Sequence, residues 1–533
     1  MNATEQSLLL PFLTSFSEGA ALLGNVKVLK GIPYVEDRPY LGWPSILGFT
    51  IACYYVIYTL YALYLHPLRK YPGPWHLAVT NLPNRWSTIS GNSSYWLYDL
   101  HEQYGPIVRV APNEISYSDP QAWQDIYGPQ PNQRLGMPKD PKFFSSFEDK
   151  KTAASIITSQ PKDYMRMRHI YSYGFSKQVM QAKEPMIQGI IDRAMEALRQ
   201  THQQPQDIVQ IFRATDFSIV TEIVFGKAYH IFDRTTYQPW FKSLMGWIRS
   251  TAVITATTDY RLGKLAAWLF TPRDVMKQRN VYLKYVNGEI EERLGESNDG
   301  RKDVVQLMFE TTDQHQLAES DIRANLPFMV IAASETTTTL MSGMIAHLLN
   351  SPDALRQLTA EVRERFRSPS EITIATVNNL PFLNACVNEA LRVYPAAPTQ
   401  LPRVVPGVGA TVCNRWVPGG TKVYVAPYAT FRSAENFYQP DAFLPQRWLP
   451  GNDESFDVDK KNAWRPFGLG AHECPGQVIT NLITRLIMCK LLLSFDLELC
   501  ANSRDWLAKQ PVWIVWDKPE LLVKARPVAT TTA

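Results

Sequence analysis

Phe467-Gly-Leu-Gly-Ala-His-Glu-Cys474-Pro-Gly476 decides how the rest of the chain is read. A phenylalanine, three glycines and one cysteine stand at fixed offsets, directly before the apolar run Gln477 to Leu493, which reads as a helix. Gly468 and Gly470 permit a tight turn where a side chain would collide with something flat lying above it. Pro475 suits the first turn of the helix that follows. Cys474 is therefore expected at a helix N-terminus, where free N–H groups and the dipole lower a thiol pKa and favour the thiolate. A buried structural cysteine after a glycine-rich turn is the competing reading.

A thiolate ringed by backbone donors suits a haem iron as axial ligand. The spacing Phe-x-x-Gly-x-x-x-Cys-x-Gly is complete here, and it resembles the haem-binding signature of the cytochrome P-450 superfamily. That resemblance implies Cys474 as the metal ligand, with Phe467, Gly468 and Gly476 shaping the loop around haem b. His472 stands where many relatives carry an arginine that faces a haem propionate.

Around this stretch the chain is long and nearly neutral. It has 533 residues, and 54 Lys and Arg against 50 Asp and Glu leave a formal charge of +4. Such a balance excludes the basic surface that nucleic-acid binding needs. Six cysteines without CxxC or framework spacing fit reduced thiols facing the cytosol rather than a secreted scaffold. Residues 1–45 show no basic n-region before an apolar core, so no cleaved signal peptide is expected, and Asn2 heads a glycosylation sequon.

Residues 46–65 (ILGFTIACYYVIYTLYALYL) form an uncharged run of bilayer-spanning length. Trp43 and several tyrosines suit the interfaces, and His66, Arg69 and Lys70 place the C-terminal side in the cytosol. The proline-rich segment 66–75 then reads as a stiff hinge before a catalytic domain over 76–533. By resemblance to microsomal P-450s this implies a single-pass protein of the endoplasmic reticulum membrane.

Three further segments carry chemistry. Ala332-Ala-Ser-Glu335-Thr336-Thr lies inside a long apolar helix, where consecutive threonines are poor interior residues. A Thr hydroxyl bonded to its own backbone opens a local groove, and an adjacent acid relays protons. The segment resembles the oxygen-activating stretch of P-450s, which makes Thr336 and Glu335 catalytic and puts Ala332 and Ala333 at the substrate pocket. Ala333 stands where glycine is commoner. Glu389-Ala-Leu-Arg392 resembles the P-450 helix whose Glu and Arg form a buried structural triad with a later arginine, here Arg447. Tyr164 and Arg168, four apart on one helix face, resemble a propionate-binding pair. In Ala396 to Arg403, resembling the strand that passes over the haem, Arg403 is implied at a propionate, with Ala397, Pro398 and Leu401 lining the pocket.

Together these resemblances imply a mainly α P-450 fold with small β-sheets behind one transmembrane helix. The implied activity is a monooxygenase of fungal secondary metabolism, inserting one oxygen atom into an apolar terpenoid, polyketide or alkaloid intermediate. Electrons would come from NADPH through a cytochrome P-450 reductase, with cytochrome b5 as a further partner. Two rivals are oxidative coupling, dehydration or isomerisation on the same haem-thiolate, and a non-catalytic haem-binding membrane protein. Near the end of the chain, Val512 to Trp516 reads as a short apolar strand.

Overall fold

The computed structural model describes residues 39–130, 135–147, 153–159, 161–227, 238–257, 260, 262–296, 303–310 and 318–528. The N-terminal segment 1–38, with its Asn2 sequon, lies outside the described residues. Two compact units emerge, Met1–Arg69 and Lys70–Ala533.

In the first unit, helix α1 (Pro39–Leu60) runs into a π-helical turn at Tyr61–Leu65. Residues Pro44–Leu65 form an apolar span with mean hydropathy 1.7, and almost all of its surface is exposed. An uncharged helix left uncovered by protein needs an apolar surrounding, so it is a candidate membrane span.

The second unit is built on long helices: α2 (Pro161–Gly174), α3 (Glu184–Gln200), α4 (Ile208–Phe225), α5 (Gln238–Thr257), α6 (Arg273–Gly295), α7 (Glu319–Leu349), α8 (Pro381–Val393) and α9 (Gln477–Ser494). Helix α9 is as apolar as a membrane span, yet it is mostly buried among its neighbours, as a core helix should be. The 31-residue α7 is buried along most of its length because α4, α6, α8 and α9 all pack against it.

Small sheets close the sides. Strands β1 (Ile107–Ala111) and β2 (Glu114–Tyr117) pair antiparallel, and β2 continues in parallel to Lys422–Val425. β1 and β2 thus form a hairpin that is buried on both faces. Its periodicity is weak for that reason: neither face meets water. A second sheet joins Gln206–Asp207, Leu522–Pro527 and Phe495–Leu499. Val512 to Trp516 is no strand but a tight loop closed by a bridge between those two residues, with Trp516 stacked on Tyr394 at 4.5 Å.

Candidate active site

Cys474 lies three residues before α9, and the turn holding it is closed by Cys474 N–H donating to Phe467 O at 2.8 Å. Pro475 sits in the turn ahead of the helix rather than in its first turn. The thiol is exposed although protein surrounds it on most sides. Burial raises its pKa above the ordinary value, while the Gly476 and Gln477 N–H groups and Arg168 pull the other way. The thiolate expected from the helix start alone is therefore outweighed by desolvation, and a bound metal cation would tip the balance.

Gly468 and Gly470 both have left-handed backbone, φ +81° and +79°, which L side chains rarely adopt. A Cβ at Gly470 would also meet the Tyr127 carbonyl oxygen at 2.3 Å.

Beside this loop the structure gathers cations. Arg168 donates to the Glu473 carbonyl, and Tyr164 donates to Ala471 O at 2.7 Å while its ring packs 4.1 Å from His472. Arg403 is buried, with its Nε lacking any hydrogen-bond partner and its guanidinium over the Tyr127 and Phe144 rings. Lys139, not singled out in the sequence, pairs with Arg403 across an antiparallel β-bridge. Its ammonium lies over the Tyr164 ring and donates to Ile156 O at 3.0 Å and Ile157 O at 2.7 Å. Burial, then Arg403, push Lys139 down to about 7. Burial, then Lys139, Arg403 and Arg168, hold His472 at about 3, and its Nδ1 is unpartnered.

Like charges directly opposite in a bridge repel, and a buried cation without a carboxylate is costly. Arg403 has no salt bridge with any described acidic residue. Such a cluster fits a ligand bringing two carboxylates, which is the donor set that haem propionates require. Lys139 was missed because a lone lysine in a proline-rich loop carries no local pattern; only its bridge to Arg403 marks it.

On α7, Ala332, Ala333 and Thr336 keep partial exposure within a mostly buried helix. Thr336 Oγ1 donates to Ala332 O at 2.6 Å, the back-bond expected of it. Glu335, expected as a proton relay, is sealed inside the protein. It is 1% exposed and bound by Arg213 at 2.6 Å and Lys518 at 3.0 Å. These cations overcome the burial that would raise its pKa and hold it at about 2. Ala397 is exposed and Leu401 half-exposed, but Pro398 is buried with its carbonyl accepting from Ser94, so it presents no surface to a pocket.

Behind the loop, Glu389 binds Arg392 at 2.7 Å and Arg447 at 3.1 Å, all three completely or almost completely buried. Trp448 Nε1 and Leu444 N–H also donate to Glu389 at 2.9 Å each, and Asp459 takes the far side of Arg447 at 2.7 Å. Arg392 ties three backbone carbonyls, those of Phe431, Pro440 and Ala442. Gln446, next to Arg447, stays outside this network.

The sequence profile of the cytochrome P450 family matches residues 71–525. This chain belongs to the cytochrome P450 family. It is 90% identical over 529 residues to the cytochrome P450 monooxygenase aneG of Aspergillus aculeatus, covering 99% of this chain and 100% of that one. It is 35% identical to the cytochrome P450 monooxygenase astA of Talaromyces wortmannii, over 89% of this chain and 95% of its own. Averantin hydroxylase of Dothistroma septosporum is 36% identical over 88% of each chain. The P450 is thus a monooxygenase of the fungal secondary-metabolite group, and its family implies a haem-thiolate centre supplied with electrons by a redox partner.

Proposed function

We propose that this P450 inserts one oxygen atom from dioxygen into a neutral, apolar small molecule, a terpenoid, polyketide or alkaloid intermediate of fungal secondary metabolism. Haem b, when bound, supplies the oxygen chemistry. The observation that carries the reading is the convergence of four basic side chains, Lys139, Arg168, Arg403 and His472, beside the exposed Cys474. Cys474 is the iron ligand in this reading, and Lys139, Arg168, Arg403 and the neutral His472, with Tyr164, hold the propionates. Phe467, Gly468 and Gly476 shape the loop. Glu389, Arg392 and Arg447 brace it from behind.

The substrate chamber is formed by Ala332, Ala333, Ala397 and Leu401, without the buried Pro398. Small side chains on α7 leave room for a bulky apolar body, and nothing charged faces it from these positions. Thr336 orients and passes a proton through its hydroxyl. Glu335 stays ionised beside it. Electrons come from NADPH through a cytochrome P-450 reductase, with cytochrome b5 as an accessory donor. The span 46–65 anchors the protein in the endoplasmic reticulum membrane, residues 66–75 act as a hinge, and residues 76–533 form a cytosolic catalytic domain.

The deciding experiment follows NADPH and oxygen consumption by the reductase-supplied protein with candidate substrates, together with the product formed. Cys474→Ala should abolish the thiolate-type Soret band of the reduced carbon monoxide adduct. If the band survives that substitution, another residue is the ligand and the site assignment falls.

A further inference from the structure

Helix α5 and the segments 140–147, 399–402 and 513–514 wall a pocket that the reading above leaves unused. It holds about 570 Å³ of atom-free space, its open mouth included, within the size range of small-molecule sites. The charged groups of its lining are already paired. Arg85 binds Glu114 at 2.9 Å, and Lys422 binds Asp140 at 2.9 Å. The hydroxyls of Thr88, Thr255 and Thr399 donate to the carbonyls of Asn84, Thr251 and Ile514. The Tyr424 hydroxyl, buried without a hydrogen bond, lies against the Glu114 carboxylate, so a donor already faces an acceptor there. Gln400 differs. It lines the pocket, it is 7% exposed, and its Oε1 has no hydrogen-bond partner.

The backbone on both sides of Gln400 is pinned. Ser94 donates to Pro398 O at 3.2 Å, and Tyr127 donates to Leu401 O at 3.1 Å. The terminal amide torsion is soft by comparison. An amide oxygen buried without a donor is costly, and a ligand O–H would satisfy it. The rest of the wall is largely apolar. The Phe143 and Phe147 rings lie 5.8 Å apart, and Trp513 and Ala252 join them. Phe147 in turn meets Phe328 of α7 edge to face at 6.3 Å. Phe328 stands four residues before Ala332 and eight before Thr336, on one helix face. The pocket therefore adjoins the substrate chamber at two points, through Phe147 and through Leu401 next to Gln400.

We propose that this pocket receives a neutral, bulky substrate that already carries a hydroxyl group, and that Gln400 orients it by accepting that O–H. The inference rests on the monooxygenase reading and narrows its substrate class. With every lining charge paired, the pocket offers nothing to an ionised ligand. The apolar body lies among the aromatic rings toward α7, so the C–H bond offered for oxidation is remote from the hydroxyl. A bare hydrocarbon skeleton has no donor for Gln400. An earlier oxygenation or hydration must therefore supply this substrate, and the P450 acts after that first oxygen is in place.

The test uses the full-length haem-loaded protein in lipid nanodiscs, with 2-decalol, its methyl ether and 2-decalone as probes and calorimetry as the readout. The alcohol should bind about fivefold or more tightly than the ether, which keeps the oxygen but has no O–H to give. Gln400→Met should level that difference while keeping the thiolate-type carbon monoxide spectrum. Equal binding of alcohol and ether by the wild-type protein overturns the proposal, and that comparison needs no variant. So does a Gln400→Met protein that retains the preference, or a ketone that binds as tightly as the alcohol. NADPH-driven oxygen uptake is measured separately with the same probes. Its absence with all of them would defeat the monooxygenase reading, whereas the binding comparison alone decides the role of Gln400.

Discussion

At the scale of single residues, Lys139 carries the most information that its local sequence withholds. Burial and Arg403 lower it from an ordinary 10.5 to about 7. In haem-free protein the unfolded chain therefore binds more protons between those values, so folding stability rises with pH through that window and the penalty is complete below it. Carboxylates supplied by haem would oppose the shift, because a nearby anion favours the ammonium. Urea midpoints at pH about 7 and about 8.5 should rise with pH for the haem-free protein, and the slope should flatten in Lys139→Met and in the haem-loaded protein. Lys139→Met should also release haem to an acceptor protein faster, by roughly tenfold or more, as expected for one lost charge-assisted hydrogen bond. Thr336 makes a separate prediction. Thr336→Ala should leave haem content and substrate affinity nearly intact but lower product per NADPH, with the difference appearing as hydrogen peroxide.

At the scale of elements, two buried charge networks join helices that are distant in sequence. Glu389 on α8 accepts from Arg392, Arg447, Trp448 and the Leu444 backbone, and it ties α8 to the segment before the cysteine loop. Glu335 on α7 does the same for α4 and the C-terminal segment. Removing one member strands the others without a counter-charge, which costs about 3–5 kcal/mol for a buried pair. Glu335→Gln should therefore lower the thermal midpoint by several degrees even though its shape is unchanged. Replacing Arg213 by Met in the same background should recover part of the loss, because it removes one uncompensated cation. Calorimetry on the single and double variants measures both effects.

At the scale of the whole molecule, two apolar helices of spanning length do opposite things. Pro44–Leu65 is almost wholly exposed, whereas Gln477–Ser494 is packed into the core behind Cys474. The first is a candidate for lipid and the second a core helix. Protease added to intact microsomes should digest the chain beyond the span, as the proposed cytosolic placement requires; full protection would reverse the orientation.

Much of the site was legible in the sequence because its elements are local. The Phe467–Gly476 spacing, the threonine run on α7 and the Glu389–Arg392 pair each lie within one turn or one helix, where side-chain geometry follows from residue offsets. Arg447, 58 residues from Glu389, was implied only by the family resemblance. What sequence alone left undecided depends on contacts between segments hundreds of residues apart. Arg213 and Lys518 meet Glu335 across separations of 122 and 183 residues, and Lys139 meets Arg403 only through a β-bridge. Burial likewise reverses the expected thiol shift at Cys474 and seals the acid next to Thr336. A helix start or a neighbouring hydroxyl can be read from order along the chain; the desolvation and counter-charges that decide who holds a proton come only with the packed fold.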